Sequence, residues 1–291
     1  MKRILTMCLA LVLLMSGVSL ADLNSGLTAF FPFNGNANDE SGNANHGTVN
    51  GAILTEDRQG NDASAYSFDG VNDYISIPDS DLIDFEYNQN FTVALWIKAA
   101  TIQPDRGNTD NDIVEKWSGG TSYPYVIRYG NRTGKVYVAR YSRPNSFGIH
   151  STTSINDNQF HHIAFIKDGE NLTLYIDGIP NGTSIDKSTD TKNNSALFLG
   201  KRGSNINYFK GVIDELRIYN RAISASEIQD ISEVALSGCL QSYGKPLTND
   251  TVMMIQTGEY HQTTQLDING CFKLNSLNKD KKYTIIIRKK E

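Results

Sequence analysis

The chain has 291 residues, of which 39% are hydrophobic and 20% charged, and its formal net charge is −5. This acidic balance excludes nucleic acid as an obvious partner, because phosphate backbones are met by clustered Lys and Arg. Of three cysteines only Cys239 and Cys271 lie outside the N-terminal apolar run, so most of the chain must stand on a hydrophobic core rather than on cross-links.

Residues 1–21 read as an export signal: Lys2 and Arg3 precede an apolar run at 4–18, and Ser19-Leu-Ala21 offers small residues for cleavage. The run is too short to span a bilayer, and no later stretch approaches that length. Export to the periplasm, the cell surface or the medium is the expectation. Short runs rich in Tyr, Phe, Ile and Val then follow one another, punctuated by Gly, Asn and Asp. Strands are expected at 27–33, 65–68, 73–77, 91–98, 113–117, 123–129, 135–141, 147–153, 160–167, 172–177, 196–201 and 210–219. Alternation is clean at 172–177, where Leu172, Leu174 and Ile176 share one face. In the last run Val212, Leu216 and Ile218 share a parity, and Asp214 falls on it. A carboxylate aimed at a core needs a compensating charge. Either this end of the strand is wet, or Asp214 holds a cation or pairs with an arginine such as Arg217 or Arg221. Ser224 followed by Glu227 forms a capping box that opens a helix over 224–232.

Twelve strands and one short helix suit an all-β jelly-roll sandwich over 22–233. From residue 234 onward, eight Lys or Arg face five Asp or Glu, which reverses the charge of the body. Strands are expected there at 237–241, 251–256, 262–266, 271–274 and 283–288, with Asn269-Gly270 as a hairpin turn. This reads as a second, small β-sandwich over 234–291. Cys239 and Cys271 sit beside glycines at strand starts and either bridge in an oxidising compartment or remain two thiols.

Four stretches carry a family resemblance. They are Ala29-Phe-Phe-Pro-Phe-Asn-Gly-Asn-Ala-Asn-Asp-Glu-Ser-Gly-Asn-Ala-Asn-His-Gly47, Ala65-Tyr-Ser-Phe-Asp-Gly-Val-Asn-Asp-Tyr-Ile75, Phe160-His-His-Ile-Ala-Phe165 with Leu174-Tyr-Ile-Asp-Gly178, and the segment 212–228. In this order they resemble the laminin-G-like, concanavalin A-like domains of secreted bacterial proteins, which usually have Trp where Phe160 stands. The resemblance implies a two-sheet jelly roll that binds glycans or proteins, often with a structural calcium ion. It also implies that the loop 38–46 and Asp214 lie together. The calcium ligands expected on that basis are the carboxylates of Asp39 and Asp214, with Ser41, Asn43 and His46 serving mainly through backbone oxygens. Residues 236–291 are similar to the small prealbumin-like, carboxypeptidase-regulatory-like sandwiches, which act as spacers.

A sandwich hydrolase needs two carboxylates on one face, yet the strands at 91–98, 135–141 and 160–167 carry none suitable, and Asp112 and Glu115 have opposite parity. No nucleophile elbow, phosphate loop or metallopeptidase His pair occurs. His161 and His162 are adjacent on a strand and point to opposite faces, so they read as structural. Trp117 and Tyr123 flank a Gly- and Ser-rich loop and are the candidate ligand-contacting rings. The chain is therefore expected to be a non-catalytic binding module for a glycan or an extracellular protein. A purely structural or adhesive unit and a sandwich-type glycoside hydrolase are the alternatives.

Overall fold

The computed structural model describes residues 23–99, 110–117, 119 and 122–232, together with backbone strands between 234 and 289. The expected signal segment at 1–21 lies outside the described residues. In chain order the strands are β1 Leu27–Phe31, β2 Thr48–Asn50, β3 Ile53–Thr55, β4 Ala65–Asp69, β5 Tyr74–Ile77, β6 Phe91–Ala99, β7 Asp110–Glu115 and β8 Tyr123–Gly130. They continue as β9 Lys135–Ser142, β10 Asn145–Ser154, β11 Phe160–Asp168, β12 Asn171–Ile176, β13 Ile179–Ile185, β14 Leu197–Leu199 and β15 Lys210–Tyr219, followed by helix α1 at Ala225–Ser232.

These strands form two antiparallel sheets. An eight-stranded sheet runs β13-β12-β11-β6-β15-β4-β3, with β1 also paired to β15, and a seven-stranded sheet runs β10-β9-β8-β7-β14-β5-β2. The jelly-roll reading of the sequence is borne out. The inner faces meet in one core, where Phe31, Phe33, Leu95, Tyr125, Ile127, Val138, Phe165, Leu174 and Leu216 are all fully buried. Aromatic rings dominate one end of it: Phe85 stacks on Phe91 at 5.3 Å, and Phe165 meets Phe91 edge-on at 5.4 Å.

Helix α1 lies on the outer face of the larger sheet. Its capping box forms as the sequence implies: Ser224 Oγ accepts from Glu227 N at 3.2 Å, and Ser224 N donates to Glu227 Oε2 at 2.7 Å. Ile228 and Ile231 pack with Ala94, Ala164 and Tyr219, and Trp96 Nε1 donates to Ile231 O at 3.3 Å.

Three strands of the two-sheet sandwich fall outside the sequence expectation. β2 and β3 are three-residue edges with half-exposed side chains. β13 contains Pro180-Asn181-Gly182, which reads as turn chemistry, but it is an edge strand paired to β12 alone within its sheet. Edge positions tolerate proline because one side of the ladder is unused. Gly182 is required there by space, since a Cβ would sit 2.5 Å from Ile149 Cγ2 of β10.

Beyond the helix, the backbone strands are β16 Val234–Cys239, β17 Gln241–Ser242, β18 Lys245–Pro246, β19 Thr251–Thr257, β20 Tyr260–Gln265, β21 Cys271–Leu277 and β22 Thr284–Lys289. Within this segment β16 pairs with β21, β17 with β18, and β19 lies between β20 and β22.

Candidate functional site

Two β-bulges decide where the acidic side chains of the sandwich point. In β15 the pairing with β6 shifts between Asp214 and Arg217, and Glu215 takes a left-handed φ of 53°. The extra residue reverses the parity. Ile213, Leu216 and Ile218 face the core, while Asp214 turns to the outer face. The sequence expectation of an inward Asp214 aligned with Leu216 and Ile218 is thereby corrected. Its partner is neither Arg217 nor Arg221 but Arg58, whose guanidinium lies 2.8 Å away and covers the Trp96 ring at 4.8 Å. Burial pushes the Asp214 carboxyl up to about 7 against the pull of Arg58.

The Asn- and Asp-rich loop at 38–46 does a different job. β1 would otherwise expose an unpaired edge beyond β15. Phe30 N donates to Asp39 Oδ1 at 2.9 Å, and Glu40 N donates to Phe30 O at 2.7 Å. Thr28 O accepts from Ser41 Oγ, Asn43 Nδ2 and Asn45 Nδ2. Asp39 also accepts from Ser41 N and Asn45 N, each at 2.9 Å, and its own N–H donates to His46 Nδ1 at 3.1 Å. The loop thus substitutes for a neighbouring strand. Burial opposes the charge on Asp39, but the N–H groups of Phe30, Ser41 and Asn45 outweigh it and hold the carboxyl below its usual range.

These contacts do not fit a calcium ion. Ca²⁺ requires six to eight oxygen ligands, whereas both Asp39 oxygens already accept N–H bonds and the second expected carboxylate, Asp214, is paired with Arg58. Asp39, Ser41, Asn43 and His46 are brought together, but Asp214 is committed to Arg58 and does not join them. Among the described residues, no three His, Cys, Asp or Glu side chains converge as a metal site needs.

The second bulge lies in β7. Its register with β8 shifts between Asp112 and Val114, so Asp112 opposes Arg128 and Glu115 opposes Val126. Both carboxylates consequently share the outer face of the seven-stranded sheet, contrary to their sequence parity. They are fully buried there beneath arginines. Arg128 Nε lies 2.7 Å from Asp112 Oδ1, and its terminal nitrogen 2.8 Å from Glu115 Oε1; Arg202 Nε lies 3.0 Å from Asp112 Oδ2. Burial and then Asp112 push the Glu115 carboxyl up to about 8, with Arg128 opposing.

Above this network the same face carries a wall of rings. Trp117 lies 5.8 Å from Tyr123, and Tyr123 stacks on Tyr141 at 5.5 Å. Arg128 and Arg202 extend over Tyr123 and Trp117 at 5.8 and 5.5 Å. These side chains, with Arg143 and Ser146, line a recess of about 510 Å³. The structure therefore brings both sequence candidates, Trp117 and Tyr123, to one hollow; of the loop between them, Ser118, Gly120 and Thr121 lie outside the described residues. Sequence reading missed Tyr141 and the three arginines. Alternation in β9, where Tyr137, Ala139 and Tyr141 share a face opposite Val136 and Val138, is the signal that locates Tyr141. Tyr125 and Tyr129 belong to the core instead.

Both histidines are engaged within the sandwich. His161 bridges Asp177 at 2.8 Å and Asp157 at 3.0 Å, while His162 is buried against Trp96 at 5.3 Å. Burial lowers the His162 pKa to about 3, so it is neutral.

Two antiparallel sheets in this strand order define a jelly-roll sandwich. The chain belongs to the concanavalin A-like lectin/glucanases superfamily, whose laminin-G model matches residues 69–229. Among solved structures it is similar to the binding domain of Paraclostridial Mosquitocidal Protein 1, at 21% identity and a TM-score of 0.62, covering 79% of this chain and 58% of that one. Domain 4 of an extracellular arabinanase from Geobacillus stearothermophilus, in complex with arabinotriose, matches at 23% identity and a TM-score of 0.56, covering 72% and 98%. The botulinum neurotoxin serotype D binding domain matches at 15% identity and a TM-score of 0.57, covering 80% and 57%. The chain thus spans less than two thirds of either toxin domain. At these identities the likeness establishes the fold. No helix among the described residues is long and apolar enough to cross a membrane.

Proposed function

We propose that this protein is an exported, non-catalytic glycan-binding module whose site is the recess lined by Trp117, Tyr123 and Tyr141. The observation that carries this reading is the wall of three rings facing an open hollow beside guanidinium groups, since aromatic faces with nearby polar groups suit sugar rings. The arabinanase domain in complex with arabinotriose supports it, as do toxin domains named for binding. Export rests on the leader-like segment 1–21, and the division into a binding domain at 22–233 and a small sandwich spacer at 234–291 rests on sequence resemblance. A calcium ion has no part in this reading.

The hydrolase alternative gains an observation from the β7 bulge, which puts Asp112 and Glu115 on one face. Both acids, however, are fully buried and covered by Arg128 and Arg202, which leaves no carboxyl oxygen for a scissile bond. Incubation with arabinan and xylan should release no reducing ends. Titration with arabino-oligosaccharides should show weak monovalent binding that strengthens when several copies are displayed together. Trp117→Ala and Tyr141→Ala should each weaken that binding by about tenfold or more, as aromatic hot spots do. Unchanged affinity in both variants would place the site elsewhere.

We further propose that Cys239 and Cys271 form a disulfide in the exported protein. β16 and β21 pair in the register that sets Cys239 opposite Cys271, a separation compatible with disulfide geometry. In protein exported to an oxidising compartment, thiol titration after unfolding without reductant should find no free thiol; two would rule out the bridge.

A further inference from the structure

The charges around the recess do not balance. Arg128 and Arg202 are held by Asp112 and Glu115 beneath them. Arg143, on the same wall, is exposed, and no carboxylate among the described residues pairs with it. It follows β9, where Ser122 Oγ accepts from its backbone N–H at 3.4 Å and leaves the side chain uncommitted. Arg143 also lines a second hollow of about 590 Å³ together with Ser122, Asp190, Lys192 and Asn194. Asp190 forms no ion pair with it, and Lys192 is engaged by Asp81 at 2.9 Å. One unpaired guanidinium therefore stands between two adjoining hollows, on a chain that is acidic overall.

From this arrangement we infer that the recess selects an acidic glycan, with Arg143 pairing to a carboxylate or sulfate on a sugar whose ring lies against Tyr123, Tyr141 and Trp117. A guanidinium presents two parallel N–H groups that match the oxygens of either group. The neighbouring rings exclude water from one side of the pair and strengthen it. A neutral sugar stacks on the same rings but leaves Arg143 without an anion. Specificity then resides in a side chain that does not touch the buried acid pair. This inference rests on the binding reading given above.

The test compares four probes on the full exported chain by isothermal titration. They are oligogalacturonate, its methyl ester, a sulfated galactan oligosaccharide and a neutral arabino-oligosaccharide. The acidic probes should bind about tenfold or more tightly than their neutral counterparts, with the preference shrinking as salt is raised. Preference for carboxylate over sulfate, or the reverse, identifies the source of the anion. Arg143→Gln should bring the acidic probes down to the affinity of the neutral ones, and Arg143→Lys should keep part of the preference. Thermal melting of both variants should match the parent, because the side chain is exposed. Equal binding of oligogalacturonate, its ester and the sulfated probe overturns the inference and leaves a glycan-binding module intact. So does an acidic preference that survives Arg143→Gln. Absence of binding to all four overturns both readings.

Discussion

Arg140→Ala should lower the melting temperature by roughly 10 °C or more, from a loss of about 3–5 kcal/mol. Arg140 is fully buried although it carries a permanent charge. Its Nε donates to Pro124 O at 2.9 Å, one terminal nitrogen reaches Asp186 at 2.5 Å, and the other reaches Phe85 O, Glu86 O and Thr191 Oγ1. The guanidinium also lies 5.3 Å from the Phe91 ring. It thereby ties β8 to the connection before β6 and to the segment after β13. Truncation leaves the buried Asp186 with Ser188 N at 3.0 Å and a distant Lys167 at 3.7 Å, and takes a donor from Pro124 O, Phe85 O and Glu86 O, of which Phe85 O keeps Thr191 Oγ1 and Glu86 O keeps Gln89 N. Removing both charges together, as Arg140→Met with Asp186→Asn, should cost less than the single change, because no unpaired ion remains. A calorimetric melt within 2 °C of the parent for Arg140→Ala would contradict this account.

Asp39→Ala should cost about 3 kcal/mol, since it removes a charged acceptor from three backbone N–H groups and the amide of Asn45. The loss should appear as fraying of β1, whose edge the loop covers, and amide exchange at Phe30 reads it directly. The pH dependence follows from the direction of the shift. The folded carboxyl titrates below its ordinary 3.8, so its contribution is complete above that value and disappears as the pH falls through the lower folded value. The parent should therefore lose stability on acidification more steeply than Asp39→Ala. Neither EDTA nor added calcium should shift the melting curve of either protein. A rise with calcium that Asp39→Ala abolishes would restore the metal reading.

Much of this sandwich is legible in its sequence, because alternation and turn residues act locally. The capping box of α1, the ends of β15 and the opposite faces of His161 and His162 all follow from short-range rules. The errors concentrate at two single-residue insertions. Parity counting assumes an unbroken pleat, and bulges at β7 and β15 each break it by one residue. That slip moved Asp214 from the outer face to an imagined core position and separated Asp112 from Glu115. Nothing in Ile113 or Glu215 announces a bulge, because the cause lies in register with distant strands. The loop at 38–46 was misread for a related reason. Its carboxylate and amides match a cation site by type, but their partners are the N–H and C=O groups of an edge strand that only the assembled sheet creates. Trp117 and Tyr123 were found because loop-flanking rings are a local feature; Arg143 and Arg202 reach the same hollow from segments far apart in the chain.

The neighbouring positions of β1 and β15 have a practical consequence. Asn220 N donates to Gly26 O at 2.9 Å, and Arg221 Nε donates to Ser25 O at 2.7 Å, so the first strand starts where the last strand ends, on the larger sheet. The ring-lined hollow lies on the outer face of the other sheet. A domain built this way can be spliced into a host loop, or permuted by joining its two ends through a short glycine linker, without disturbing the ring-lined face.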